Sequence, residues 1–406
     1  MLTLENFTKA HDILRPVLRS TSLIYSECFS RATQNQVYIK PENLQITGAY
    51  KIRGALYKLS MMSEEQRKKG IITSSAGNHA QGVAYAAQLK ECKATIVMPT
   101  TTPLLKVNNT KRYGAEAILY GDIYDEAYQH AVMLAEEKGY EFVHPFDDIQ
   151  IATGQGTMFF EIFANLPDID ILLVPIGGGG LAAGVATLAK ILKPEIQVIG
   201  VEPAGAASMS ASLANGEVTT IKSVRTIADG VAVRTPGKVV FPYIQQNLDS
   251  IITIADTELP NIFLDLMENH KMIAETSGLL SLAALRHLNC TNKKIACIIT
   301  GGNIDAITMP SLLQHGLMHR CRVFTVSLQL PDRPGELSNV SGIIADARGN
   351  VVKLEHNQFF DINRNAAVEL RITIEGFGEE HRDIIYSKLI AAGYNPISVN
   401  PGTSYY

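Results

Sequence analysis

The stretch ILLVPIGGGGLAAGVATLA, Ile171 to Ala189, carries no charge between Asp170 and Lys190. Its length would suffice to span a bilayer. Pro175 and the run Gly177-Gly178-Gly179-Gly180 nevertheless make a poor helix interior. Proline removes a backbone donor, and glycine loses the most conformational freedom on ordering. The stretch reads instead as a buried strand, a glycine turn and a buried helix, so no membrane segment is expected. An apolar strand feeding an apolar helix is half of a βαβ unit.

The alternation continues on both sides. Ile71 to Thr73 precedes a helical pattern from Asn78 to Leu89, and Ala94 to Met98 precedes Leu104 to Tyr113. Ala117 to Tyr120 precedes Asp125 to Lys138, and Gln197 to Val201 follows the helix Leu181 to Leu192. The strands are nearly all apolar, as parallel strands covered on both faces must be. The fold class is therefore α/β. Past about Arg320 the pattern changes. A strand from Val323 to Leu330 and the turn residues Asp332-Arg333-Pro334-Gly335 lead into a helix from Glu336 to Ala347, with Gly349 as its stop. Strands from Val351 to His356 and Val368 to Ile374 follow, then a helix from Glu379 to Ala392 stopped by Gly393, and a strand from Asn395 to Val399. That βαββαβ order is a ferredoxin-like sandwich. The expected division is 1–310, a linker 311–322, and 323–406.

Of 406 residues, 46% are hydrophobic and 19% charged, enough to bury a core without disulfides or a structural metal. Lysine and arginine total 36 against 40 aspartates and glutamates, a net charge of −4 with no basic cluster. That excludes a nucleic-acid footprint. Cys28, Cys92, Cys290, Cys297 and Cys321 show no CxxC spacing and read as free thiols, with no metal site. Met1 to Ser20 holds no apolar signal segment, so a cytoplasmic location is expected.

Four turns could carry chemistry. Lys51, after Lys40-Pro41-Glu42-Asn43, sits where a helix begins; a desolvated amine near a positive helix end suits Schiff-base chemistry, against the alternative of a solvated surface lysine. Ser74-Ser75-Ala76-Gly77-Asn78-His79 follows a strand, and the amides of a helix start favour an anion such as a carboxylate; the alternative is a capped turn. Gly177 to Leu181 can ring a phosphate with backbone N–H groups, though Gly178-x-Gly180 with Glu202 also imitates a dinucleotide fingerprint. Thr300, before Gly301-Gly302-Asn303, places a hydroxyl at a strand's carboxyl end.

Taken in order, over nearly all of residues 1–310, these blocks resemble the fold-type II pyridoxal-phosphate enzymes, whose architecture is two-lobed and tryptophan synthase β-like. Within them the likeness is closest to the threonine ammonia-lyases. Thr47-Gly48-Ala49-Tyr50-Lys51-Ile52-Arg53-Gly54-Ala55 is similar to that family's Thr-Gly-Ser-Phe-Lys-x-Arg-Gly-Ala, and Ser75-Ala76-Gly77-Asn78-His79 and the tetraglycine match without change. The resemblance implies a smaller lobe, roughly 45–145, inserted in a larger one. It implies pyridoxal 5′-phosphate carried by Lys51, which would also remove the Cα proton. Asn78 would bond the cofactor's ring oxygen, and the N–H groups of Ser75, Ala76, Gly77, Asn78 and His79 the substrate carboxylate. Gly177, Gly178, Gly179, Gly180 and Leu181 would hold the phosphate, and Thr300, where the family usually has serine, the pyridine nitrogen. The implied reaction is β-elimination and deamination of L-threonine to 2-oxobutanoate and ammonia, with L-serine giving pyruvate.

A serine racemase on the same scaffold would need an acid/base group where this chain has Ala76, and a cation site whose second ligand corresponds to Ser208. A 3-hydroxyaspartate-type ammonia-lyase is a further alternative. A nicotinamide dehydrogenase leaves Lys51 and Asn78 unexplained, and their presence also argues against an inert amino-acid sensor. Ala274-Glu275-Thr276-Ser277-Gly278 has threonine where the family usually has proline. The Asp-Arg-Pro-Gly-Glu-Leu run at 332–337 and its βαββαβ surroundings look like an ACT domain. That likeness implies an amino-acid effector such as isoleucine or valine, regulation of the enzyme in isoleucine biosynthesis or threonine catabolism, and a homodimer or homotetramer.

Overall fold

The computed structural model of the protein describes residues 2–357 and 368–399. The chain divides into two compact units, Met1–Asp305 and Ala306–Tyr406.

The first unit holds two sheets. The larger runs Ile24–Tyr25, Gln36–Pro41, Lys294–Ile299, Ile171–Pro175, Gln197–Pro203 and Ser250–Ile254 in spatial order. Every pairing is parallel except that of Ile24–Tyr25. The smaller sheet, Glu116–Leu119, Ala94–Met98, Ile71–Ser74 and Glu141–Phe142, is parallel throughout. Ile171–Pro175 is buried at every position, and the helix Gly180–Leu192 is buried from Gly180 through Ala189. The uncharged stretch is thus a central strand and the helix covering it. Among the described residues, no helix is long and apolar enough to cross a membrane.

The helix Ile149–Gly156 is the common bearing for two functional segments. On one side it meets the helix Lys51–Met61, where a Cβ on Gly154 would lie 2.7 Å from the Gly54 Cα. On the other side it meets Gly180–Leu192, where a Cβ on Gly184 would overlap the Ala152 carbonyl. Backbone-to-backbone approach at both faces fixes the Lys51 and tetraglycine turns relative to each other, because close-packed interiors leave no slack.

Beneath Lys51 lies a buried ionic cluster. Arg53 donates from Nε and Nη2 to both oxygens of Glu42, at 2.8 and 2.7 Å, and its Nη1 meets Glu161 at 2.7 Å. Lys40 donates to Glu161 and to the Thr21 carbonyl, each at 2.5 Å, and Thr21 Oγ1 donates to Glu42. Burial opposes the charge on Glu42, yet Arg53 holds its carboxyl down to about 2.

In the second unit, Val323–Leu330, Asn350–Asn357, Val368–Glu375 and Ile397–Val399 form an antiparallel sheet. Its order is Asn350–Asn357, Val368–Glu375, Val323–Leu330, Ile397–Val399, with helices Glu336–Asp346 and Glu379–Ala391 in the connections. Two details differ from the sequence reading. The stretch expected as a linker, 311–322, carries most of the helix Thr308–His319. Gly349 does not supply the left-handed stop of its helix; Arg348 does, with φ +65°. Gly349 is instead demanded by packing, since a Cβ there would lie 2.9 Å from both Ile344 and Ile385.

Candidate active site

The functional turns sit at the carboxyl ends of parallel strands, where open α/β sheets bind ligands. Ile71–Ser74 leads into residues 75–79, Ile171–Pro175 into the tetraglycine, and Lys294–Ile299 into Thr300. Lys51, residues 75–79, residues 177–181 and Thr300 all line one cavity of about 1110 Å³. The four turns singled out in the sequence are therefore gathered there, whereas Glu202, Ser208 and Thr276 are not among the lining residues.

Lys51 is the first residue of its helix, and its Nζ donates to the Pro145 carbonyl at 2.8 Å. Burial pushes the amine down to about 8, with Glu275 opposing that shift. The neighbouring Tyr50 phenol is pushed up by burial and by Glu275, so it stays protonated. An amine that titrates close to working pH, with a neutral fraction far above that of an ordinary lysine, is what a proton-abstracting or carbonyl-capturing lysine requires.

Asn78 opens the helix Asn78–Leu89, whose first amides have no carbonyl partner within the helix. The Ser75 amide is a correction to the sequence reading: it donates to the Val97 carbonyl at 3.2 Å, extending the sheet, and is not free for a carboxylate. The Gly77 amide likewise turns to Ser75 Oγ at 3.3 Å. The amides of Ala76, Asn78 and His79 remain as anion donors. The His79 ring is structural: its Nε2–H donates to the Val143 carbonyl at 3.1 Å, and burial pushes it down to about 3, so it is neutral.

The tetraglycine is a space requirement. Side chains at Gly177 and Gly180 would press on Val231 Cα at 2.9 Å and the Phe146 carbonyl at 2.6 Å, and one at Gly178 would overlap the Phe146 ring. Gly179 has φ +102° and caps the helix Gly180–Leu192. Thr300 is 4% exposed, and among the described residues its buried Oγ1 has no hydrogen-bond partner. A hydroxyl left unpaired beside a cavity awaits a ligand acceptor or donor.

Several residues of the site escaped the sequence reading. Asn78 Nδ2 donates to Glu275 at 2.7 Å, and Asn303 Nδ2 donates to Asn78 Oδ1 at 2.8 Å. His144 accepts the amides of Phe146 and Asp147 at Nδ1, at 3.2 and 2.7 Å, and burial pushes it down to about 4. It follows the strand Glu141–Phe142, too short to register as a periodic pattern. Thr276, which stands where the family usually has proline, donates its hydroxyl to the Ile227 carbonyl at 2.6 Å, while its neighbours Glu275 and Ser277 line the cavity. Glu202 lies outside the cavity wall: its two oxygens take the Met209 and Ser210 amides and the Ser210 hydroxyl, capping the helix Ser208–Asn215.

Comparison with known proteins agrees with this geometry. The model of the pyridoxal-phosphate dependent enzyme family matches residues 14–301. L-threonine ammonia-lyases of Thermotoga maritima and Geobacter sulfurreducens are each 41% identical to the chain, over 97% of it and 98% of their own length. Among solved structures, the processed threonine deaminase isoform 2 of Solanum lycopersicum is 37% identical with a TM-score of 0.73, covering 77% of this chain and 94% of its own. Maize serine racemase is 33% identical with a TM-score of 0.73, covering 78% and 98%. A strand-end cavity walled by a lysine, a tetraglycine and an unpaired hydroxyl, carried on a sequence matched from residue 14 to 301, belongs to the fold-type II pyridoxal-phosphate dependent enzymes, and this chain is a member of that family.

Proposed function

We propose that the chain is an L-threonine ammonia-lyase, converting L-threonine to 2-oxobutanoate and ammonia, with L-serine as a second substrate. The observation that carries this reading is the single cavity of about 1110 Å³ shared by Lys51, Asn78, the tetraglycine and Thr300. Its residues suit pyridoxal phosphate: a space left by four missing side chains for the phosphate, and a buried unpaired hydroxyl for the ring nitrogen. When bound, the cofactor supplies the electron sink that lets the Cα–H bond break.

Lys51 would hold the cofactor and take the Cα proton, its amine brought down by burial to about 8. Asn78 would donate to the ring oxygen, and the Ala76, Asn78 and His79 amides would receive the substrate carboxylate. Thr300 donates from a neutral hydroxyl. A neutral hydroxyl there, unlike an acid, would leave the ring nitrogen of the bound cofactor unprotonated. Ala76 offers no proton donor in the position where racemisation would need one. Glu202, spent on a helix terminus, has no oxygen free of protein donors. Both features favour elimination.

Residues 323–406 form the proposed ACT-like regulatory domain, following a catalytic part that ends near 310. The β-α-β-β-α-β order and its strand arrangement support this. The domain would bind an amino-acid effector and pair copies into a homodimer or homotetramer. Purified protein should absorb in the visible through its cofactor and form 2-oxobutanoate from threonine. Lys51→Ala should abolish both, and full activity without Lys51 would sink the reading. Turnover measured with and without isoleucine or valine tests the regulatory part.

A further inference from the structure

Glu275 is 7% exposed, beside the cavity, and among the described residues it forms no ion pair. A buried carboxylate without a cation on it is expensive and concentrates at functional sites. Its Oε1 takes the Asn78 Nδ2–H at 2.7 Å and the Ser277 hydroxyl at 3.0 Å. On the other side of the Asn78 amide, Asn303 donates to Oδ1 at 2.8 Å while its second hydrogen goes to the Thr47 carbonyl at 2.9 Å. Asn78 is therefore gripped at both ends, with one amide hydrogen left over.

The surrounding backbone is cut to fit this contact. A Cβ on Gly301 would come 2.6 Å from Glu275 Oε1 and 3.0 Å from Asn78 Nδ2. One on Gly230 would meet Ser277 Oγ at 2.5 Å and Glu275 Oε1 at 3.5 Å. The Glu275 amide is tied to the Gly301 carbonyl at 3.0 Å, so the segment carrying the carboxylate is bound to the turn that carries Thr300.

We propose that Glu275 is a positioning residue for Asn78, taking one of its two amide hydrogens and thereby aiming the other into the cavity, at the ring oxygen of bound pyridoxal phosphate. Burial raises the Glu275 carboxyl while the hydrogen bonds from Asn78 and Ser277 oppose that shift, and in its ionised form it can only accept. It therefore dictates that Asn78 presents its nitrogen, where an amide or hydroxyl neighbour would tolerate the flipped orientation. The inference rests on the role given above to Asn78, but not on which amino acid is consumed.

The test is a double-mutant cycle read as affinity of the apoprotein for pyridoxal phosphate, followed by fluorescence. Glu275→Ala and Asn78→Ala should each weaken binding about tenfold or more, the effect of losing a hydrogen bond to a charged group. Because both act through one amide, the double variant should be no weaker than the worse single one. Glu275→Gln, which keeps an acceptor but also tolerates the flipped Asn78 amide, should recover only part of the affinity. Thermal melting of each apoprotein separates misfolding from misplacement. Affinity of Glu275→Ala within about twofold of the parent, or losses that multiply in the double variant, would overturn the proposal. Normal cofactor binding with no threonine turnover would instead refute the threonine reading and leave this one standing.

Discussion

Replacing Glu42 by glutamine should be among the most damaging single-atom changes in the chain. The carboxylate is fully buried and accepts two hydrogen bonds from Arg53, with Lys40 3.7 Å away. Neutralising it leaves two buried cations to share Glu161. Removing one member of a buried ion pair costs about 3–5 kcal/mol. The titration argument gives a similar size: a carboxyl held at about 2 against an ordinary 4.5 is worth about 3 kcal/mol of folding free energy. At about 2 °C per kcal/mol for a large domain, melting at neutral pH should fall by roughly 6–10 °C. The pH dependence has a definite sign. A depressed carboxyl stabilises the fold above its unfolded pKa and loses that contribution as pH falls through the folded one. The gap between parent and Glu42→Gln should be full above about pH 4.5 and close towards about pH 2. Calorimetry of both apoproteins across that range is the assay. Equal melting at pH 7, or a gap that persists unchanged on acidification, would show that the cluster does not act through the Glu42 charge.

Other outcomes follow from the cavity. Gly178→Ala places a methyl in the Phe146 ring and should weaken cofactor affinity by about tenfold or more; unchanged affinity would mean the ring yields freely. Thr300→Val removes a hydroxyl that has no protein partner, so the apoprotein should melt no lower, while turnover drops about tenfold or more. Capture of pyridoxal phosphate by the apoprotein should rise with pH and level off above about 8, where burial leaves the Lys51 amine neutral. A stopped-flow midpoint near 10.5, the value of an unperturbed lysine, would contradict the desolvated setting.

Much of the catalytic unit is legible locally. The uncharged run from Ile171 to Ala189, with glycines at its centre, can only be satisfied by a strand, a turn and a covering helix, because hydrophobic burial and glycine conformation act over a few residues. The same holds for Lys51, Asn78 and Thr300, each announced by the turn that follows a strand. Gly393 was readable as a helix stop because its φ of +89° is a local demand. Gly349 was misread as one because its smallness serves Ile344, Ile385 and Ile374, two of them far away in sequence.

The partners of those residues are decided by distance in space. Glu275 meets Asn78 across 197 positions of chain, and Asn303 meets it across 225. No spacing rule in the sequence connects them. The Ser75 amide looked free until the neighbouring strand, Ala94–Met98, brought the Val97 carbonyl to it. Local sequence thus determined which elements form and which side chains stand at their ends, since propensity and periodicity are short-range. The three-dimensional packing of those elements decided which amides, carboxylates and hydroxyls remain unpaired at the cavity, because hydrogen bonds and desolvation depend on what else arrives there.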